Sequence, residues 1–99
     1  MMVYLFISQP MSGRSSTEII IEREELFEKA EKALYPEAVE EVDSYLPDAW
    51  EPPLYLLGRS ISAMANADYI VFAEGWENSR GCQIERACAE KYGVPILEV

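Results

Sequence analysis

A strand, a polar loop and a helix follow one another in Asp68-Tyr-Ile-Val-Phe-Ala-Glu-Gly-Trp-Glu-Asn-Ser-Arg-Gly-Cys-Gln-Ile-Glu85-Arg-Ala-Cys-Ala-Glu90. The apolar run 69–73 has β-branched and aromatic members, which is typical of a parallel strand buried on both faces. Ligands of α/β proteins bind beyond the carboxyl ends of such strands, so we expect a binding site in the loop that follows. Its candidate residues are Gly75, Trp76, Ser79, Arg80 and Gly81.

The rest of the chain continues the alternation of strands and helices. Its hydrophobic pattern predicts further strands over 3–8, 38–45 and 95–99, and helices from the Ser15 cap to about 34, over 54–67 and over about 81–92. Four strands joined by helices imply a parallel three-layer α/β sheet of the flavodoxin type, with strand order 2-1-3-4. The 99 residues make one domain, 1–99. The Pro-rich connection 46–53 is either an ordinary surface loop or a lid over the ligand end of the sheet.

Composition and charge exclude several classes of protein. The formal net charge of −10 argues against binding a nucleic acid polymer. With no His and only two Cys, too far apart on one helix to form a disulfide, we expect no metal and no cofactor. No apolar run is long enough for a bilayer and the chain begins directly with a strand, so we expect a cytoplasmic protein. Arg14, Arg59 and Arg80 are nevertheless predicted near one end of the sheet, where they favour a small anion.

Glu85 is the candidate working carboxylate of the last helix. Its helical neighbours Gly81, Cys82, Cys88 and Ala89 are small and weakly polar, which indicates that its side chain points toward the protein. The helix macrodipole favours the ionised form that a nucleophile needs, whereas burial favours the neutral form. Residue chemistry leaves a second interpretation open, in which Glu85 only accepts hydrogen bonds from the loop backbone.

Four segments carry a resemblance to a known superfamily. Ser79-Arg-Gly-Cys-Gln-Ile-Glu85 resembles the Ser-x-Gly-x-x-x-Glu signature of nucleoside 2-deoxyribosyltransferases and the related 2′-deoxynucleoside 5′-phosphate N-hydrolases. Ala67-Asp68-Tyr-Ile-Val is similar to their strand entry. Ser8-Gln-Pro-Met-Ser-Gly13 and Gly75-Trp-Glu-Asn-Ser-Arg-Gly81 resemble loops of a small bacterial and phage branch of this superfamily. The resemblance covers roughly the first fourteen and the last forty-five residues, and it leaves the middle of the chain unmatched.

The resemblance implies a nucleoside or nucleotide as ligand and a homo-oligomeric assembly. Glu85 matches the nucleophile that attacks the anomeric carbon, following the logic of retaining glycosidases. Ser79 matches the position that helps to hold a 5′-phosphate, and Arg80 is expected to reinforce it as a cation. Ser79 is equally suited to cap the helix, and both roles are compatible. Trp76 and Trp50 either stack a base or pack within loops. The other residues predicted to bind substrate are Ser8, Gln9, Pro10, Met11, Gly13, Arg14, Arg59 and Ser60.

Two positions depart from the family pattern. Ser60 stands where the family has an acid/base aspartate, and Phe6 stands where it has a tyrosine. A serine does not supply a proton at neutral pH, so activation of the leaving group falls to another residue such as Asp43, Asp48 or Glu74, or the bond is not cut. The alternative function is a binding protein that sequesters or senses a nucleotide-derived molecule.

Overall fold

The computed structural model describes residues 1–42 and 52–99. Its strands are β1 (Met2–Ser8), β2 (Ala38–Glu41) and β3 (Tyr69–Phe72), and its helices are α1 (Ser16–Leu34), α2 (Pro53–Met64) and α3 (Arg80–Tyr92). The strands form a parallel sheet in the order β2-β1-β3. These elements confirm a mixed α/β domain with a parallel sheet. Ser8 lies opposite Phe72, so the loops that leave β1 and β3 begin side by side at one edge of the sheet.

The central strand β1 buries both of its faces, and its side chains alternate between two apolar clusters. Leu5 and Ile7 pack in one cluster with Leu26 and Ala30 of α1. Phe6 packs in the other, whose further fully buried members are Met64, Ile70 and Ala89. Because side chains of a strand alternate with a period of two, Ser8 follows Phe6 onto the face of the sheet that carries α3.

Local capping explains where the helices begin and end. The Ser15 hydroxyl accepts a hydrogen bond from the Glu18 amide at 3.1 Å, as its spacing predicts. Pro53 occupies the first residue of α2, where its missing N–H costs nothing. Gly93 ends α3 in the left-handed conformation, with φ 72°, which glycine adopts without strain. The predicted helices are thus confirmed to within a few residues at each end.

The sheet is smaller than predicted in the part of the chain that the structure describes. The expected fourth strand, 95–99, is reduced to a single parallel bridge between Ile70 and Ile96. Two backbone bonds join this segment to β3, from Ile70 N to Pro95 O and from Leu97 N to Ile70 O. Pro95 has no N–H with which to extend the pairing toward the start of the segment. The described residues therefore form a parallel sheet of three strands, and a fourth strand stays a prediction.

Two boundaries also differ from the prediction. β2 ends at Glu41 rather than at 45. Residues 43–51 lie outside the described residues, and they include most of the connection 46–53 together with Asp43, Asp48 and Trp50. α2 ends at Met64, because the amides of Ala65, Asn66 and Ala67 bond three residues back and tighten the chain into turns.

A matched pair of isoleucines in α1 tests this packing. Ile19 is 5% exposed, whereas Ile21 is 52% exposed. We expect Ile19→Ala to lower the free energy of unfolding by about 2–4 kcal/mol, because it leaves a cavity in the core. Ile21→Ala should change it by less than about 0.5 kcal/mol. Urea denaturation followed by circular dichroism measures both, and equal losses would contradict the burial of Ile19.

Candidate functional site

Glu85 lies at the centre of the candidate site, buried against the end of β1. Its side chain is 7% exposed and that of Ser8 is 1% exposed. The Ser8 hydroxyl donates a hydrogen bond to Glu85 Oε1 at 2.6 Å. The inward orientation predicted from the small neighbours of Glu85 is thus observed. α3 begins at Arg80, which puts Glu85 in its second turn, beyond the first turn in which the macrodipole acts most strongly.

Two further groups act on the Glu85 carboxylate. The Ser60 hydroxyl of α2 and the positive charge of Arg23 in α1 both favour its ionised form. Burial has the larger effect and raises the pKa of Glu85 above its usual value, while Ser8, Ser60 and Arg23 partly offset that rise. Glu85 is therefore a carboxyl group whose neutral form is favoured by its surroundings and whose ionised form still has hydrogen-bond donors.

A cleft of about 620 Å³ opens above Glu85 between α2, α3 and the loop after β1. One wall is apolar and comes from the first half of α2. The opposite wall is polar and comes from the start of α3. The lining residues are Gln9, Met11, Pro53, Leu54, Leu56, Leu57, Ser60, Ser79, Arg80, Gly81, Cys82, Ile84 and Glu85. A mostly apolar cleft with a few convergent polar groups is the usual form of a small-molecule site.

The structure brings half of the predicted site residues together at this cleft. Besides Glu85, these are Gln9, Met11, Ser60, Ser79, Arg80 and Gly81. Ser8 joins them through its bond to Glu85. The Ser79 hydroxyl accepts a hydrogen bond from the Cys82 amide at 3.4 Å and so caps α3. Gly81 is an ordinary helical residue with open space where a Cβ would lie.

The loop after β1 is held by polar side chains rather than left open for a ligand. Gln9 donates to Ile19 O at 2.8 Å and to Glu22 Oε1 at 2.9 Å, and it accepts from Arg23 Nη1 at 3.0 Å. Arg14 Nη1 donates to Pro10 O and to Glu22 Oε1, at 2.9 and 2.8 Å. The hydrogen bond to Glu22 raises the pKa of Arg14. The Arg14 side chain therefore links the loop after β1 to α1 through hydrogen bonds, and it does not line the cleft.

The remaining predicted residues lie away from the cleft. Trp76 packs against Phe72, with ring centroids 5.7 Å apart, and the Arg86 guanidinium lies 4.5 Å from its ring centroid. This arrangement matches the packing interpretation of Trp76. Gly75, with φ 87°, starts the short 3₁₀ helix Trp76–Asn78. The other predicted residues that do not line the cleft are Pro10, Gly13 and Arg59.

Sequence reasoning missed several residues of the site. Arg23 is 6% exposed and links Gln9 to the Glu41 carboxylate of β2, with 3.0 Å between its Nε and Glu41 Oε1. Cys82 lines the cleft beside Glu85, and burial raises the pKa of its thiol. The one sequence signal for a buried Arg23 is that it is a basic residue among apolar positions of α1. The signal for Cys82 is its position next to Glu85 on the surface of the last helix.

A family model described as DUF4406, domain of unknown function, matches residues 1–98. The chain belongs to this family. A search of curated proteins and a search of solved structures give no match. The family description assigns no chemistry, so the geometry of the cleft carries the functional argument.

Two further findings concern the described residues alone. No group of three or more His, Cys, Asp or Glu side chains within 1–42 and 52–99 is placed to hold a metal ion. Over the same ranges, each helix is too short or too polar to cross a membrane.

The raised pKa of Glu85 predicts how stability depends on pH. Between the usual value of 4.5 and the raised folded-state value, the folded protein binds more protons than the unfolded chain. Stability therefore falls as pH rises through this window, by about 1.4 kcal/mol per pH unit while the folded carboxyl stays protonated and the unfolded one is ionised. We expect Glu85→Gln to remove this loss, so that its advantage over the natural protein grows with pH.

Urea denaturation at a series of pH values measures the difference between the two proteins. Glu25→Gln, at an exposed position of α1, is the control and should change the free energy of unfolding by less than about 0.5 kcal/mol. A Glu85→Gln advantage that shrinks as pH rises would contradict the assignment.

Proposed function

We propose that this chain binds a nucleoside or nucleotide in the cleft and that Glu85 acts as the nucleophile in cleavage or transfer at its N-glycosidic bond. The supporting observation is the buried Glu85 carboxyl at the floor of the cleft, 2.6 Å from the Ser8 hydroxyl. A carboxylate that is fixed by hydrogen bonds and shielded from water attacks the anomeric carbon of a sugar held above it. The similarity of residues 79–85 to the deoxyribosyltransferase signature adds to this argument.

The two walls of the cleft suit the two ends of such a ligand. Leu54, Leu56 and Leu57 of α2 offer an apolar surface to a planar base. Arg80 and the Ser79 hydroxyl, at the start of α3, offer a cation and a polar group to a 5′-phosphate. The sugar would then lie between the walls, above Glu85.

The proposal also includes a flavodoxin-like sheet with a fourth strand, and a homo-oligomeric assembly. The bridge between Ile70 and Ile96 lies at the position of a fourth strand in the order 2-1-3-4, which supports a flavodoxin-like sheet of the nucleoside 2-deoxyribosyltransferase type. A homo-oligomer and a cytoplasmic location follow from the same resemblance and sequence arguments.

A second candidate function is a binding protein that keeps the cleft without the reaction. It is favoured by Ser60, which faces Glu85 with a hydroxyl where proton donation to the leaving base needs an acid. One experiment distinguishes an enzyme that cleaves the ligand from a protein that only binds it.

The experiment measures free base by chromatography after incubation with deoxynucleosides, ribonucleosides and their 5′-monophosphates. We expect base release by the natural protein and its complete loss in Glu85→Gln, which keeps the size of the side chain while removing the nucleophile. Glu90→Gln is the control on the same helix, since Glu90 is exposed and pairs with Arg86. Thermal-shift binding is measured in parallel. Equal base release by Glu85→Gln rules out the nucleophile, and binding without release supports the second candidate.

Arg80 provides a test of the phosphate end of the cleft. Loss of a hydrogen bond between charged groups costs about 1.5–3 kcal/mol, so Arg80→Ala should raise the Kd for 5′-monophosphates by about 10- to 150-fold. The Kd for the matching nucleosides should change little. Arg59→Ala is the control, because Arg59 is exposed and does not line the cleft. Calorimetric titration measures these constants, and an equal effect of Arg80→Ala on nucleosides and nucleotides would remove the phosphate role.

A further inference from the structure

The cleft contains a single carboxyl group among the residues that the structure describes. Its ionisable lining residues there are Glu85, Arg80 and Cys82. Glu22 does not line the cleft and accepts hydrogen bonds from Gln9 and Arg14. Glu74, a possible proton donor named from the sequence, does not line the cleft either. The group that faces Glu85 from α2 is the neutral Ser60 hydroxyl.

This set of residues limits how a base can leave. The base of an ordinary nucleoside departs as an anion unless an acid protonates it during cleavage. Glu85 is committed as the nucleophile, and a guanidinium such as Arg80 does not give up its proton at neutral pH. The Cys82 thiol is a weaker acid than an exposed cysteine, because burial raises its pKa. The described cleft therefore holds a nucleophile without a matching proton donor.

We propose that the site takes N-glycosides whose base already carries a positive charge, such as N-alkylated purine or pyridinium-type bases. This inference rests on the proposed function and specifies its substrate class. A Glu85 oxygen bonds to the anomeric carbon while the C–N bond breaks, and the bonding electron pair neutralises the charge on the ring nitrogen. Water then displaces the Glu85 oxygen from that carbon. One cationic substrate and one water give one neutral base, one free sugar and one proton, so no proton donor is needed.

The positive charge of such a substrate also favours the ionised form of Glu85, which is the nucleophilic form. A positive charge within a few ångströms favours the ionised form of a carboxyl group. A cationic base above Glu85 opposes the effect of burial and favours the ionised form of the Glu85 side chain. A neutral nucleoside has no positive charge and does not favour that form. The leucine wall accepts the ring, and the net charge of −10 attracts cations to the protein.

The test compares 7-methylguanosine with guanosine, which differ by one methyl group and the charge it creates. Base release is measured by chromatography as kcat/KM, with the rate in Glu85→Gln subtracted to remove spontaneous hydrolysis. We expect a value at least about 100-fold higher for 7-methylguanosine, because proton donation to a leaving group is worth about 10²–10⁴. Release of guanine within tenfold of 7-methylguanine overturns the substrate class and leaves the proposed function standing. Release of neither base above the Glu85→Gln rate overturns the proposed function, and this inference with it.

Ser60 supplies a second and independent measurement. Ser60→Asp adds a carboxyl group beside Glu85, and two neighbouring carboxyls hold a proton between them that is available to the base. The ratio of guanosine to 7-methylguanosine cleavage should rise about 100-fold or more in Ser60→Asp and stay at its original value in Ser60→Asn, which has the same shape but no acid. Circular dichroism establishes that both variants fold. Equal ratios in the two folded variants contradict the argument.

Discussion

The hydrogen bond from Ser8 to Glu85 is the interaction on which the site depends. It joins residues 77 positions apart, one at the end of the central strand and one in the last helix, with a donor–acceptor distance of 2.6 Å. Its geometry follows from the core, since Phe6 and Ala89 pack in the same apolar cluster and so bring β1 and α3 together. A carboxyl group at this depth without donors would cost several kcal/mol. The hydrogen bond from Ser8 reduces this cost, and the nearby Ser60 hydroxyl and Arg23 charge reduce it further.

Burial and reactivity oppose each other at Glu85. Removing the carboxylate from water makes its ionised form expensive, which lowers the stability of the fold at neutral pH. The same removal strengthens the electrostatic interaction of the group with a bound substrate. Glutamine would fill the same space without a charge, although it has one acceptor oxygen where the carboxylate has two. The proposed use of Glu85 as a nucleophile would explain why a carboxyl group is buried here at this cost.

Much of this arrangement could be predicted from local sequence. Strand and helix positions followed from apolar periodicity, and the small residues around Glu85 correctly indicated an inward side chain. What the sequence left open or did not indicate are particular side-chain contacts and backbone bonds. For Trp76 the sequence left base stacking and packing as alternatives, and its ring packs against Phe72 and Arg86. Arg23 gave no local sign that it reaches Gln9 across fourteen positions. Pro95 removed a donor from a segment that otherwise has the pattern of a strand.

The charge state of the cleft is set by what occupies it. When the cleft contains only water, desolvation favours the neutral form of Glu85, and the two serines and Arg23 offset this only in part. In the proposed complex, an anionic group would bind away from Glu85, at the start of α3, where Arg80 and the backbone amides of the first turn lie. A cation directly above Glu85 instead favours the carboxylate. Because Glu85 and Arg80 lie on one helix, the proposed ligand would have its negative and positive ends separated along the axis of α3.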